Sequence, residues 1–479
     1  MAVIQSWKRK SRQIRALLFI LGAVHLSSCE RSTDRGSLGE VLDQGVLKVG
    51  TLYGLTTYYT GPNGPEGFEY ELAKGFADHL GVRLEIYPYY SLSQAFSQLE
   101  DAHLQLLAAG LTATDERVAR FRFGPPYQQV SQKLVFKQGH ERPRDTEDLS
   151  GNLIVVADSS HTDTLRQLKE QHPDLAWQET NEMDAEELME AVIAEQYDYT
   201  ITDSNILALM RRRHPELAIG FTIQEPQRVA WAMNREQDDS LFAALLDYFG
   251  GLQQSGLLAA LEDKYFGHVR QFNYVDTRLF IRAVEQTLPR FRLWFEQHSG
   301  ELDWRLLAAM AYQESHWDPR AKSPTGVRGL MMLTLPTAKE LGVTSRLDAQ
   351  QSIRGGAQYL QDLIRRIPDR IQYPDRIWFA LAAYNVGMGH LEDARVLTER
   401  QGGNPDLWVD VKARLPLLRQ KKHYRMTRYG YARGDEAVTY VANIRRYYDT
   451  LVWLDDQGEF LQPGEQVPTT EVEITSPGD

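Results

Sequence analysis

The stretch AYQESHWDPRAKSPTGVRGLMMLTLPTAKELG, residues 311–342, sets one glutamate, Glu314, at the end of an apolar run and shortly ahead of Pro319. The run itself, LDWRLLAAMAYQES (302–315), predicts a helix with Asp303 as its N-cap. Asp318 stands four residues beyond Glu314, a spacing that puts two side chains on one face of a continuous helix. The residue before a proline is pushed out of the helical region, so Asp318 reads instead as the turn that closes the helix. Glu314 is thus a carboxylate without an evident partner acid.

Further helices are predicted on both sides of this stretch. DTRLFIRAVEQTLPRFRLWFEQHSG, SIRGGAQYLQDLIRRI, RIWFALAAYNVG and EAVTYVANIRRYYDTLVWL carry helical periodicity, and strand signals are nearly absent from about residue 275 onward. This half reads as all-α. The preceding half alternates instead. VLKVGTLY (46–53), RLEIYPY (83–89), GNLIVVADSS (151–160), YDYTITDS (197–204) and RVAWAMN (228–234) read as strands, separated by helices such as GFEYELAKGFADHLGV (67–82), which stops at Gly81. Such alternation indicates a layered α/β fold.

A chain of 479 residues exceeds one ordinary core, and 42% hydrophobic with 25% charged residues is a globular composition. The net charge of −12 is unevenly spread. Residues 30–269 hold 20 Lys+Arg against 38 Asp+Glu, while 270–460 hold 28 against 23. Two modules with different partners fit this asymmetry, and the acidic whole argues against nucleic acid. We expect modules over 29–269 and 270–460 and a disordered acidic tail over 461–479.

The single cysteine, Cys29, excludes an internal disulfide. It follows a basic start and the apolar run ALLFILGAV, too short for a permanent span and typical of a signal peptide over 1–28. The sequence LSSC (26–29) resembles the bacterial lipoprotein cleavage motif. That resemblance implies acylation of Cys29, and Glu30 after it favours the outer membrane, with the chain on its periplasmic face. A plain secretory signal is the alternative.

Residues 40–268 resemble the periplasmic solute-binding proteins of the amino-acid-binding type, with two α/β lobes. GFEYELAKGFADHLG, LTATDERVARFRFGPPY (111–127) and YDYTITDS carry the likeness. It implies that Thr112 and Arg117 hold a ligand carboxylate and Asp203 its ammonium, the ligand being an amino acid or murein peptide. An arginine fork suits a carboxylate. The plainer readings are Arg117 paired to Asp115 or Glu116, and Asp203 capping the helix that starts at Ser204.

Residues 311–342, AAYNVGMGHLEDA (382–394) and YGYARGDEAVTYVANI (429–444) resemble, in order, three motifs of the lytic transglycosylases related to goose-type lysozyme. With both modules and the leader, nearly the whole chain is similar to the F-type membrane-bound murein enzymes of that family. The resemblance implies a carbon–oxygen lyase of the exolytic type, though the residues themselves leave cutting within strands or at their ends open. Glu314 would protonate the bond between N-acetylmuramic acid and N-acetylglucosamine, then accept a proton from the muramic 6-hydroxyl as it closes a 1,6-anhydro ring. No water, cofactor or metal enters.

By the same resemblance Ser323, Met331, Tyr384, Asn385 and Tyr440 are substrate contacts. Glutamine usual after Gly-Leu-Met is replaced by Met332, so no sugar hydrogen bond is carried to that position. Asn385 reads equally as a turn residue, and Tyr440 nearly equally as core. His316 and His390 lack metal-ligand spacing. Acting first as an acid requires a neutral Glu314, which burial among Leu306, Leu307, Met310, Met331 and Met332 would favour. Two other functions compete: a receptor that holds murein without cutting it, and a lysozyme whose products carry reducing ends.

Overall fold

A computed structural model describes residues 36–61, 64–267, 274–323 and 326–456. Cys29, the leader and the tail lie outside these residues.

The first half is two α/β lobes joined by crossing strands. One sheet has the order Arg83–Tyr89, Val46–Leu52, Leu106–Leu107, Ala232–Asn234, Phe121–Phe123. Its first three strands are parallel and its last two antiparallel to their neighbours. The other sheet has the order Leu217–Val229, Gln128–Lys137, Tyr199–Asp203, Leu153–Val156, Gln178–Thr180. The chain passes into the second lobe along Gln128–Lys137 and returns along Leu217–Val229, paired as Gln128 with Val229 where the lobes meet. The predicted strand 228–234 is therefore split: Val229 ends one sheet's strand and Ala232 begins the other's.

Local sequence explains several boundaries. Phe68, Leu72, Ala73, Phe76 and Ala77 recur at helical spacing, and the Phe68–Leu80 helix buries all of them. Gly81 ends it at φ 70°, a left-handed cap that glycine adopts without strain. Asp184 and Glu187 form a reciprocal capping box at the start of Ala185–Ile193.

The second half is built of helices joined by loops, with no β-strand among its described residues. The helix Gly434–Asp456 packs on Trp304–Ser315 and Asp375–Val386, with Tyr440, Val441, Ile444 and Leu451 buried in the shared core. A Cβ on Gly434 would sit 1.9 Å from the Leu415 carbonyl oxygen, so only glycine lets the helix start this close to its neighbour. Asp303 caps Trp304–Ser315 through Arg305 N–H, as expected. No helix among the described residues is long and apolar enough to cross a membrane.

The two halves meet through a buried ionic cluster. Asp263, on the helix Leu257–Phe266, accepts from Arg445 Nη1 at 2.8 Å and also pairs with Lys412. Both Asp263 and Arg445 are almost fully buried. Burial works to raise the Asp263 carboxyl, but Arg445 and Lys412 outweigh it and hold it below its usual range. Arg212 and Asp449 form a second link. Removing one member of such a cluster strands the other's charge. Asp263→Asn is expected to cost about 3 kcal/mol of stability, read as a lower denaturation midpoint in urea; an unchanged midpoint would show that solvent reaches the cluster.

Candidate functional site

Glu314 is the penultimate residue of Trp304–Ser315. The two residues that follow the helix, His316 and Trp317, both take left-handed backbone, with φ 51° and 59°. This double reversal turns the chain away from the helix and drives the Trp317 ring into the core, its Nε1 donating to the Ala308 carbonyl at 2.9 Å. Asp318 follows outside the helix, exposed, accepting from Arg320 N–H. It is a turn residue and does not share a face with Glu314.

The partner that Glu314 does have comes from the other end of the module. Tyr440 donates its hydroxyl to Glu314 Oε1 at 2.5 Å. Tyr440 is buried, and burial together with the Glu314 charge pushes its phenol well above the usual range, so it stays a donor. Burial raises the Glu314 carboxyl to about 7, with the Tyr440 hydrogen bond pulling it back. Near neutral pH this carboxyl exists in both protonation states, the condition for giving and taking one proton.

Tyr384 lies close enough to Glu314 for that charge to disfavour its own ionisation, after burial as the larger cause. Its hydroxyl donates to the Met331 carbonyl at 2.9 Å, and its ring packs on Tyr359 with centroids 5.1 Å apart. Met331 lies beside Tyr384. Its side chain is fully buried against Gly356, so what it presents to the site is a carbonyl and not a thioether. Met332 sits at φ 46° and is partly buried. Ser323 folds its own loop, its Oγ accepting from Val327 N–H. Asn385 is exposed in the last turn before Gly387, whose φ of 89° lets the chain leave the helix.

In the first half, Thr112, Arg117 and Asp203 come to the gap between the lobes. Arg117 is buried and donates to the Thr112 carbonyl at 3.1 Å and, across the gap, to the Asp158 carbonyl at 2.8 Å. It packs over the Phe96 ring. Neither Asp115 nor Glu116 is its bonded partner. Thr114 reaches Asp163 at 2.8 Å, Leu55 N–H reaches Glu186 at 2.6 Å, and Ser93 donates to Asp158 and Asn181, so the lobes are bonded to each other at several points. Asp203 occupies the N-cap position of Ser204–Arg213 but makes no capping bond. It faces His161 Nε2 at 3.3 Å instead. His161 was missed as a site residue, because a single histidine after two serines carries no signal until Tyr199–Asp203 is laid beside it. The buried Thr112 Oγ1 and His161 Nδ1 have no hydrogen-bond partner among the described residues.

Residues 47–268 match the bacterial extracellular solute-binding proteins, family 3, and residues 294–406 match the transglycosylase SLT domain. The chain is 56% identical over 443 residues to the membrane-bound lytic murein transglycosylase F of Idiomarina loihiensis, covering 92% of this chain and 97% of that protein. It is 54% identical over 451 residues to the protein of the same name from Pseudoalteromonas translucida, covering 94% and 96%.

The Tyr440 hydroxyl favours the ionised form of Glu314. Tyr440→Phe is therefore expected to move the Glu314 titration upward, measured from the pH dependence of its carboxyl infrared band with Glu314→Gln as the reference. A titration that stays put or falls would mean the hydroxyl bonds elsewhere in solution.

Proposed function

Because the chain belongs to the membrane-bound lytic murein transglycosylase F family, we propose that Glu314 performs both proton transfers in a water-free cut of peptidoglycan. The observation that carries this reading is a carboxyl raised to about 7 by burial, with a phenol hydroxyl on it and no second acid recorded against it among the described residues. Most glycoside hydrolases use a second carboxylate to activate water or to attack the sugar. One acid suffices when the nucleophile belongs to the substrate.

Neutral Glu314 gives its proton to the oxygen joining C1 of N-acetylmuramic acid to C4 of N-acetylglucosamine. The C1–O bond breaks and the N-acetylglucosamine leaves with a 4-hydroxyl. The muramic 6-hydroxyl attacks C1, and its proton passes to the Glu314 carboxylate, which ends protonated as it began. The new O6–C1 bond closes a 1,6-anhydro ring. The attacking oxygen is tethered to the carbon it attacks, which removes the entropic cost of positioning a water. Tyr440 tunes the acid, while Tyr384, Asn385, Ser323 and the Met331 carbonyl contact the sugars.

The module over 29–269 reads murein peptides or amino acids, with Arg117 and Thr112 on a carboxylate and Asp203 on an ammonium. The unpartnered, buried Thr112 Oγ1 supports a ligand there. Its closure acts on the catalytic module over 270–460 as an allosteric control, and acylated Cys29 anchors the whole to the outer membrane.

Wild-type protein on purified sacculi is expected to release anhydro-muropeptides with no ¹⁸O from labelled water, and Glu314→Gln to release none. The wild-type rate falls as pH rises through about 7, because the acid form is lost. Reducing-end products carrying ¹⁸O would select the lysozyme reading. In calorimetry with free amino acids and murein peptides, Arg117→Ala should lose the heat that wild type gives; no heat from wild type would sink the sensor reading.

A further inference from the structure

Between the helix Trp408–Arg414 and the helix Gly434–Asp456 runs a segment that the proton chemistry does not use. Residues 419–434, RQKKHYRMTRYGYARG, hold six Lys and Arg and no acid. Arg419 and Arg433 pair with Asp435 and Glu436. Lys421, Lys422, Arg425 and Arg428 are exposed. Among them stand large side chains that a core would normally take in: Met426 is 56% exposed, Tyr429 53% and Tyr431 51%.

This segment is built and held. The buried carboxylate of Asp393 accepts from Arg428 N–H at 2.9 Å and Tyr429 N–H at 2.8 Å. Arg400 Nη1 donates to the Met426 carbonyl at 2.9 Å, and Ala432 N–H returns to the Leu418 carbonyl. The fold thus fixes the backbone while leaving cations and aromatic faces outward. Arg428 lies over the Tyr429 ring at 5.5 Å, and Tyr424 meets Tyr431 edge-on at 5.8 Å.

Its place is the rim of the site. The Tyr429 ring rests on Gly389, where a Cβ would come within 2.9 Å of it, five residues after Tyr384. At its other end the segment feeds directly into the helix that presents Tyr440 to Glu314.

We propose that residues 420–433 form an anionic-glycan grip, in which Lys421, Lys422 and Arg425 hold carboxylates of the stem peptides and Tyr431 stacks on a sugar face away from the bond being cut. The proposal rests on the murein-cleavage reading and extends it to a contact outside the reaction centre. Stem peptides supply clustered carboxylates, and a fixed cationic surface captures such a polymer by raising its local concentration. Tyrosine offers an apolar face and a polar edge at little entropic cost, the combination a sugar ring requires. Anionic lipid headgroups match the cations too, but contact with the segment after Tyr384 favours the substrate.

The test uses the full chain carrying Lys421→Glu, Lys422→Glu and Arg425→Glu, all exposed positions. On sacculi at low salt we expect KM to rise about tenfold, kcat to hold, and the salt dependence of KM to flatten. Sacculi whose carboxylates have been amidated should raise the wild-type KM to the same level and leave the variant unmoved. Tyr431→Ala should raise KM severalfold and Tyr431→Phe should restore it. An unchanged KM and salt dependence in the triple variant overturns the proposal. So does loss of binding to phosphatidylglycerol vesicles with KM on sacculi intact, which would assign the segment to lipid. If wild type releases no anhydro product, the cleavage reading has failed instead. The grip is then judged on Glu314→Gln protein sedimenting with sacculi, where the triple change must still weaken binding for the proposal to stand.

Discussion

The catalytic half depends on holding one carboxyl largely away from water, with no cation paired to it among the described residues. A charge partner would hold Glu314 ionised, and full solvation would do the same. The helix Trp304–Ser315 avoids both by ending against the helix Gly434–Asp456, with an aromatic wall of Tyr312, Trp317, Phe280 and Tyr447 behind it. The sign of the linkage follows. A carboxyl raised from 4.5 to about 7 binds its proton more tightly folded than unfolded. It favours the folded state at acid pH, and that contribution is lost as pH rises through the window between those two values. The Tyr440 hydroxyl offsets part of the loss by stabilising the ionised form, so the same hydrogen bond serves the fold and sets the acid.

Much of this was legible, for identifiable reasons. The helices that show clean 3.6-residue periodicity and strong end signals were readable: Asp303 before Trp304, Gly81 after Leu80. Glu314 stood out because its motif is local, and Asp318 was correctly set aside because Pro319 constrains it. The strands Gln128–Lys137 and Leu217–Val229 were not readable. Their register shifts between Ile219 and Gln227 break the alternation that marks a strand, and amides and charges fill much of their length. They are nonetheless the strands that join the lobes, so the feature most important to the α/β architecture carried the weakest local signal.

The site shows the same division between local and distant. Motif position put Tyr440 near a substrate, but its bond to Glu314 spans 126 residues and exists only because two helices pack. For Met331 the motif names the residue and packing names the atom: Gly356 leaves a hollow that the thioether fills, and the carbonyl is left facing Tyr384. Asp203 keeps its helix-start position yet makes no capping bond, and its carboxylate faces His161 at the start of the helix Ser160–Lys169. In each case a residue type named the chemistry available, and long-range packing chose which atom used it.

One helix ties these levels together. Tyr440, Arg445 and Asp449 lie on Gly434–Asp456 at spacings of five and four residues, within about 14 Å along the axis at 1.5 Å per residue. Tyr440 holds the acid; Arg445 and Asp449 hold the first half of the chain through Asp263 and Arg212. The helix is unbroken over this span and most of its inward residues are fully buried. It therefore has little freedom to move at one end alone. The contacts that dock the modules and the contact that tempers the proton affinity of Glu314 thus lie on one helix.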